Sequence, residues 1–350
     1  MSVNFVVSEF DRIADAPNSV SRLRGFLRDL AIRGKLVPRE SNDGIAVDFL
    51  KQLKHQKNLM LLEKQLSREQ KVEYSQPIKH VILPLTWTWA YVDDVALVQG
   101  GKRLPNGATF SKVPTSHIYI RVTDMKDGTI KTEDLRYITD DVHRTIERYT
   151  ISQTDLYITI AGTIGQVGTV PAFFDGHNLT ENAAKIVFRG MNSDYFRLAL
   201  SSDVVQQQFK DKTKQMAQPK LALKRILGAA FPLPPLAEQS RIVAKVSELM
   251  ILCDKLEDAR RERDDDRARA TLSALHHLSN SGTPEDLRHS SKFYLDHIAD
   301  FAAQPAQIPA LRRTILALAV QGRLVPQNPS DEPSSELLIR MQTEIGRAHV

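Results

Sequence analysis

A stretch near the start of the chain recurs near its end, and this repeat limits the possible folds more than any other feature. Leu23-Arg24, Leu30-Ala31, Gly34 and Leu36-Val37-Pro38 return as Leu311-Arg312, Leu318-Ala319, Gly322 and Leu324-Val325-Pro326 at one constant offset, with no gap. Conservative exchanges fill places between them: Leu27 against Ile315, Ile32 against Val320 and Lys35 against Arg323. Asp43 matches Asp331, and Leu50 matches Leu338. In the first copy Leu23, Leu27, Leu30 and Ala31 form an apolar stripe at helical spacing. Gly34 suits the end of that helix, and Pro38 bars its continuation. A repeat of this kind implies pseudo-symmetry, in which one unit runs helix, globular domain, long helix, and a second unit then begins. Either the chain is half of a longer protein, or two such halves pair.

Between the copies the texture changes twice. A second helix is expected from Ala46 to Gln70, with Phe49, Leu50, Leu53, Leu61, Leu62 and Leu66 at its apolar positions. Pro77 and Pro84 mark a boundary. From there to about Leu200, short β-branched and aromatic runs alternate with Gly, Asp and Asn turns. Strands are expected at Val95–Gln99, His117–Val122, Leu156–Ile160, Val167–Val170 and Ala184–Phe188. Asp127-Gly128 reads as a tight turn. Many short strands with few long helices indicate a mixed, largely antiparallel α/β domain. One helix over Tyr195–Phe209 and a polar-basic segment from Lys210 to Arg225 complete it. Phe231-Pro232-Leu233-Pro234-Pro235 closes the domain as a stiff, extended joint.

After that joint Ile242, Val246, Leu249, Cys253 and Leu256 follow at heptad spacing. Unbroken from Leu236 to Leu275, such a helix is roughly 60 Å long at about 1.5 Å per residue. Its seam needs a neighbour, and long antiparallel helices forming a coiled-coil-like spacer are expected. Alternating charges from Glu257 to Asp264 suit a solvated face or an interface. Ser279–Ser291 reads as a loop, and another helix is expected near Pro309–Val320. Ile345–Val350 break the helical pattern. The domain boundaries are thus 1–83 (N-terminal helical region), 84–235 (globular domain), 236–278 (long helix) and 279–350 (C-terminal helical region repeating the start).

Several function classes fall away. The single cysteine, Cys253, excludes an intrachain disulfide framework and a multi-cysteine zinc site, and suits a reducing, cytoplasmic setting. The start of the chain lacks the basic and apolar pattern of a signal peptide, and no run of apolar residues is long enough for a membrane span. No H-E-x-x-H, G-x-S-x-G or P-loop is present. Gly162, Gly165 and Gly168 form G-x-x-G-x-x-G, which fits tight turns better than a nucleotide loop. His276 and His277 point about 100° apart on a helix, a poor arrangement for one metal. Asp93-Asp94 and Asp264-Asp265-Asp266 lack a convincing set of catalytic partners. No cofactor and no metal are expected.

The joint Phe231-Pro232-Leu233-Pro234-Pro235-Leu236-Ala237-Glu238-Gln239-Ser240-Arg241-Ile242-Val243, the repeated Leu-Val-Pro segments and Leu156–Gly165 followed by Val167-Gly168 carry a resemblance. The chain resembles the specificity subunit of type I restriction–modification systems. Glu181-Asn182-Ala183-Ala184 and Gln218-Pro219-Lys220-Leu221 fit less sharply. The resemblance implies a non-catalytic subunit with two target-recognition domains held apart by antiparallel helices. Each domain reads half of a split site in double-stranded DNA, and methyltransferase (modification) and restriction subunits assemble on the whole. This chain holds one such domain, so a homodimer would restore the architecture. The competing readings are a scaffold that binds methyltransferase subunits without reading DNA, and an independent nuclease or transferase.

The net charge of +5 is too modest to identify nucleic acid, so the location of the charge decides. Lys212, Lys214 and Lys220 suit phosphate contacts, and Gln215 and Gln218 offer amides to adenine. Lys102 and Arg103 follow Gly100-Gly101, either as a phosphate-binding loop or as an ordinary hairpin turn. Arg121, with Lys126 nearby, suits a fork to guanine and equally a salt bridge at the edge of the core. Asn182 suits adenine or a backbone cap. Leu23, Leu27, Leu30, Ile242, Val246, Leu249, Cys253 and Leu256 are the helix-packing candidates.

Overall fold

The computed structural model describes residues 18–63, 72–77, 81–210, 220–302, 305–325 and 328–347. Backbone contacts divide the chain into two units between Asp254 and Lys255. Among the described residues the first opens with helix α1 (Ser19–Ile32). It ends as the sequence requires. Gly34 takes φ +65°, its N–H donates to Ala31 O at 3.3 Å, and Lys35 N–H donates to Leu30 O at 2.9 Å. A Cβ on Gly34 would also lie 2.4 Å from Pro84 Cγ, so glycine lets the segment that enters the domain close onto the helix end. Helix α2 (Ala46–Glu63) buries Leu53 and Met60. The rest of the expected helix to Gln70 lies outside the described residues.

The domain that follows contains β1 (Thr88–Tyr91), the single turn α3 (Val92–Val95), β2 (Ala96–Gly100), β3 (His117–Ile120), β4 (Met125–Lys126), β5 (Thr129–Ile130) and β6 (Tyr137–Ile138). Then come α4 (Asp140–Thr145), β7 (Thr150–Ile151), β8 (Leu156–Thr159), β9 (Val167–Thr169), β10 (His177–Leu179) and β11 (Ala183–Phe188). Helices α5 (Ser193–Leu200), α6 (Asp203–Lys210) and α7 (Leu223–Leu227), strand β12 (Ala230–Leu233) and helix α8 (Leu236–Ser279) follow. Among the described residues the strands form two four-stranded sheets, ordered β6-β3-β10-β7 and β2-β11-β8-β9, and the pairs β1-β12 and β4-β5. Among the described residues every ladder is antiparallel except that of β10 with β3. The fold is the mixed, largely antiparallel α/β domain with long helices that the sequence indicates.

Three local expectations need correction. The helix expected over Tyr195–Phe209 is two helices, because Ser202 Oγ donates to Ala199 O at 2.6 Å and Ser202 O then accepts from Val205 N–H at 3.0 Å and Gln206 N–H at 2.9 Å in the first turn of α6. The proline-rich joint is partly a strand: Phe231 and Pro232 lie opposite Ala90 and Trp89. Proline is tolerated there because both strands of a two-stranded sheet are edges. The strand expected from Val95 begins one residue later, after the turn of α3.

One apolar core joins the N-terminal helices to the domain. Ala31, Ile32 and Leu53 share it with Trp87, Ile158, Phe196, Phe231 and Ile242. The start of α8 is therefore packed into the domain. Of its heptad positions, Ile242 and Cys253 are buried, Val246 and Leu249 are half-buried and Leu256 is exposed. On α1, Leu27 and Leu30 are half-buried and Leu23 is exposed, and Arg24 pairs with Asp254 at 2.5 Å.

A buried polar contact secures this joint. Trp87 Nε1–H donates to Glu238 Oε2 at 2.9 Å, and Glu238 is wholly buried. Burial pushes the Glu238 carboxyl up from its ordinary value of 4.5, and the Trp87 N–H opposes that shift. A folded-state value above the unfolded one stabilises the fold fully below pH 4.5, and this contribution is lost as pH rises through the folded value. Trp87→Phe removes the opposing donor and pushes the carboxyl higher still. The variant should lose about 2 kcal/mol or more at pH 8. The deficit should shrink toward pH 4, as urea unfolding at the two pH values will show.

The second unit holds the rest of α8, then α9 (Pro284–Asp296), α10 (Ile298–Phe301), α11 (Ile308–Val320) and α12 (Ser334–Arg347). Ala274, Leu275, Leu278, Tyr294 and Phe301 form its core. Most of the loop expected at Ser279–Ser291 is helix, because Thr283-Pro284-Glu285-Asp286 is a capping box. Asp286 N–H donates to Thr283 Oγ1, and Thr283 N–H to Asp286 Oδ2, both at 3.1 Å. Helix α11 ends as α1 does: Gly322 has φ +65°, and Arg323 N–H donates to Leu318 O at 2.9 Å. The two copies differ in their surroundings. Ile32 is fully buried, whereas its counterpart Val320 is 90% exposed and Val325 is 72% exposed. Among the described residues no helix is long and apolar enough to cross a membrane.

Candidate nucleic-acid interface

Strands β2, β3, β8 and β10 end, and β11 begins, at one place. Gly101 N–H donates to Ala183 O and Lys102 N–H to Leu179 O, both at 2.9 Å. Thr180 N–H donates to Ile120 O at 3.1 Å, and Leu221 N–H to Ile160 O at 2.8 Å. These bonds gather segments distant in sequence around two adjoining cavities. The larger, about 610 Å³, is lined in part by Gly101, Lys102, Arg103, Glu181 and Lys220. The smaller, about 390 Å³, is lined in part by Arg103, Phe110, Tyr119, Arg121, Glu181 and Asn182. Arg103 and Glu181 line both.

Gly101 is needed for a contact inside the fold rather than for a ligand: a Cβ there would lie 2.1 Å from Thr180 O and 2.3 Å from Leu179 O. The approach holds Lys102 and Arg103 at the rim. Lys102 Nζ lies 5.7 Å from the Tyr149 ring centroid, and both Lys102 and Lys220 are exposed.

Glu181 organises the centre. Its Oε1 accepts from Arg103 Nε at 3.0 Å, and its Oε2 accepts from Thr180 Oγ1 at 3.1 Å and Tyr119 OH at 3.2 Å. Burial alone would raise this carboxyl, but the Arg103 bond and its backbone, Thr180 and Tyr119 partners hold it below its ordinary value. Burial also pushes the Tyr119 phenol up to about 12, so it stays a donor, and its single proton is shared between Glu181 and Lys102 O, the latter at 2.8 Å.

Arg121 is already engaged. Its guanidinium bonds Asp124 through Nε at 3.2 Å and Nη2 at 2.7 Å, and also binds the Asp134 carbonyl. Those bonds, the Asp124 one foremost, raise its pKa further. These are salt bridges at the core edge. Lys126 sits exposed on the β4–β5 hairpin and lines neither cavity.

Asn182 O accepts from Ile160 N–H at 2.8 Å and Ala161 N–H at 3.1 Å, which fixes its backbone. Asn182 lines the smaller cavity. Lys212, Lys214, Gln215 and Gln218 lie outside the described residues.

Residues 84–263 match the family model described as the type I restriction modification DNA specificity domain, which is half of the chain. The chain belongs to this family. It is 27% identical over 340 residues to the type I restriction enzyme EcoEI specificity subunit of Escherichia coli, across 93% of this chain and 55% of that one. It is likewise 27% identical over 339 residues to the EcoAI specificity subunit of the same organism, with the same coverage. The chain thus spans about half the length of the curated relatives it matches. Among solved structures it is similar to the HsdS subunit from Thermoanaerobacter tengcongensis, at TM-score 0.41 and 16% identity, over 83% of this chain and 57% of that one.

The remaining sequence candidates have structural roles in this specificity domain. Gly162 and Gly165 take φ of +79° and +85° in the β8–β9 turn, and Gly168 makes room for the Tyr157 ring. Asp93 accepts from Lys57 Nζ at 2.6 Å and Tyr74 OH at 2.7 Å, and Asp94 accepts from Tyr91 N–H at 2.9 Å. Among the described residues no group of three or more His, Cys, Asp and Glu could hold a metal ion. The central role of Glu181 and the place of Phe110 beside it are not visible in the sequence alone. Glu181 stands inside a family-like motif, but its partners come from elsewhere, Arg103 from the segment after β2 and Tyr119 from β3.

Proposed function

We propose that the chain is a non-catalytic DNA-specificity subunit, acting in the cytoplasm, whose face around Arg103, Glu181 and Asn182 reads one half of a split site in double-stranded DNA. In this reading residues 84–235 are the target-recognition domain, 1–83 and 279–350 are repeated helical regions, and 236–278 is the spacer helix. Methyltransferase and, through the complex, restriction subunits supply the chemistry. The observation that carries the reading is convergence. Lys102, Arg103, Asn182 and Lys220, scattered in sequence, meet around two joined cavities in a chain of the specificity family. The lysines suit phosphate, while a guanidinium and an amide suit base edges.

Selection from randomised duplexes by the chain with its methyltransferase subunits tests this. Enrichment of one short sequence is expected. Enrichment of none would make the chain a scaffold that carries methyltransferase without reading DNA.

The exposed end of α11 supports a homodimer. In the first copy the same motif is covered by Pro84 and Trp87 of the following domain. A second molecule's recognition domain is the complementary cover for Val320, Leu324 and Val325. The mass of the purified chain, alone and with methyltransferase, should correspond to two copies. One copy in both states would contradict the pairing.

A further inference from the structure

We infer that Arg103 reads a guanine edge and that Glu181 is the residue that positions it. The inference rests on the DNA-reading role proposed above and goes beyond it to a base and a pair of residues.

The guanidinium is held at a single point. Arg103 bonds Glu181 through Nε alone, at 3.0 Å, and its side chain is 79% exposed. Neither terminal nitrogen, Nη1 or Nη2, has a hydrogen bond within the described residues. An arginine tethered at Nε presents its outer N–H groups in one plane and direction. That is the fork which matches the O6 and N7 acceptors of guanine. The same fork also fits phosphate oxygens, and loss of discrimination at one base pair is what tells the two apart.

Glu181 is built to be a fixed anchor. Thr180 and Tyr119 bind its other oxygen, and its side chain is only 25% exposed. Its backbone sits between the Thr180 bond to Ile120 and the Asn182 bonds to Ile160 and Ala161. An exposed ion pair of this kind contributes little to stability, at most about 1 kcal/mol. Its geometry is the better reason for a carboxylate in the middle of a basic face. Arg121, in the same cavity, shows the contrast: Asp124 and Asp134 occupy its Nε and Nη2. Asn182 lines the same cavity, which adds a second polar residue to the face.

The test uses the chain in complex with its methyltransferase subunits. Competition binding is measured on the selected duplex and on duplexes changed one base pair at a time. Arg103→Lys keeps the charge and loses the fork. It should lower discrimination at one G·C pair about 5- to 150-fold while leaving affinity for unrelated DNA within a few-fold. Glu181→Gln should lower discrimination at the same pair, with affinity for unrelated DNA unchanged or higher. The double variant should lose no more than the single ones.

Full discrimination by Arg103→Lys would overturn the inference and make Arg103 a phosphate contact. Loss at a G·C pair by Arg103→Lys but none by Glu181→Gln would overturn the positioning role. Failure of the wild-type complex to prefer any sequence would instead overturn the DNA-reading role beneath both.

Discussion

Gly101→Ala should destabilise the first unit by about 3 kcal/mol or more, a large fraction of the stability of an ordinary domain. The new methyl would sit 2.1 Å from Thr180 O and 2.3 Å from Leu179 O, and both are backbone atoms. No side-chain rotation relieves such a contact. The strand end must move away, which breaks the bonds from Gly101 N–H to Ala183 O and from Lys102 N–H to Leu179 O. The same movement would carry Lys102 and Arg103 off the face. Gly25→Ala is the control, since nothing lies within 4 Å of a Cβ there. It lies within a helix, so the exchange should stabilise by about 0.5–1 kcal/mol. Urea midpoints of the two variants should move in opposite directions. A Gly101→Ala protein as stable as the parent would mean the strand ends do not approach as described.

The second large effect is on binding. Replacing Lys102 and Lys220 together by Ala should weaken binding to all duplexes alike. It should also make the fall of log K with log salt shallower by about 0.9 for each phosphate left without its lysine. Both lysines are exposed and line the larger cavity, so their removal leaves the core intact. Sequence preference should persist, because Arg103 and Asn182 remain. Titrations at several salt concentrations check this. Weaker binding with an unchanged slope would show that neither lysine meets a phosphate.

Much of the fold is legible in the sequence because it is written locally. Short β-branched and aromatic runs between turn residues mark β8 and β11, Asp127-Gly128 marks the β4–β5 turn, and Gly34 with Pro38 marks the end of α1. The residue repeat even carries the matching φ of Gly34 and Gly322. Elements set by tertiary contact are harder. β12 contains Pro232 and is a strand only because Trp89 lies opposite it. Helix α9 is announced by Thr283-Pro284-Glu285-Asp286, but its Ser and Gly neighbours suggest a loop.

The site divides in the same way. Residue type nominates Lys102, Arg103, Arg121, Asn182 and Lys220. Only the crossing of β2, β3 and β10 brings them together, and only Asp124 and Asp134 show that Arg121 is occupied. Glu181 cannot be found from composition, since a lone acid has no visible role until its partners from elsewhere in the chain are known.

Hydrogen–deuterium exchange of the chain in complex with methyltransferase, with and without the selected duplex, tests the central claim most directly. DNA should slow exchange at residues 100–104, 121–124, 180–182 and 220–223. Protection that spares all four segments and falls elsewhere would contradict the assignment of this face.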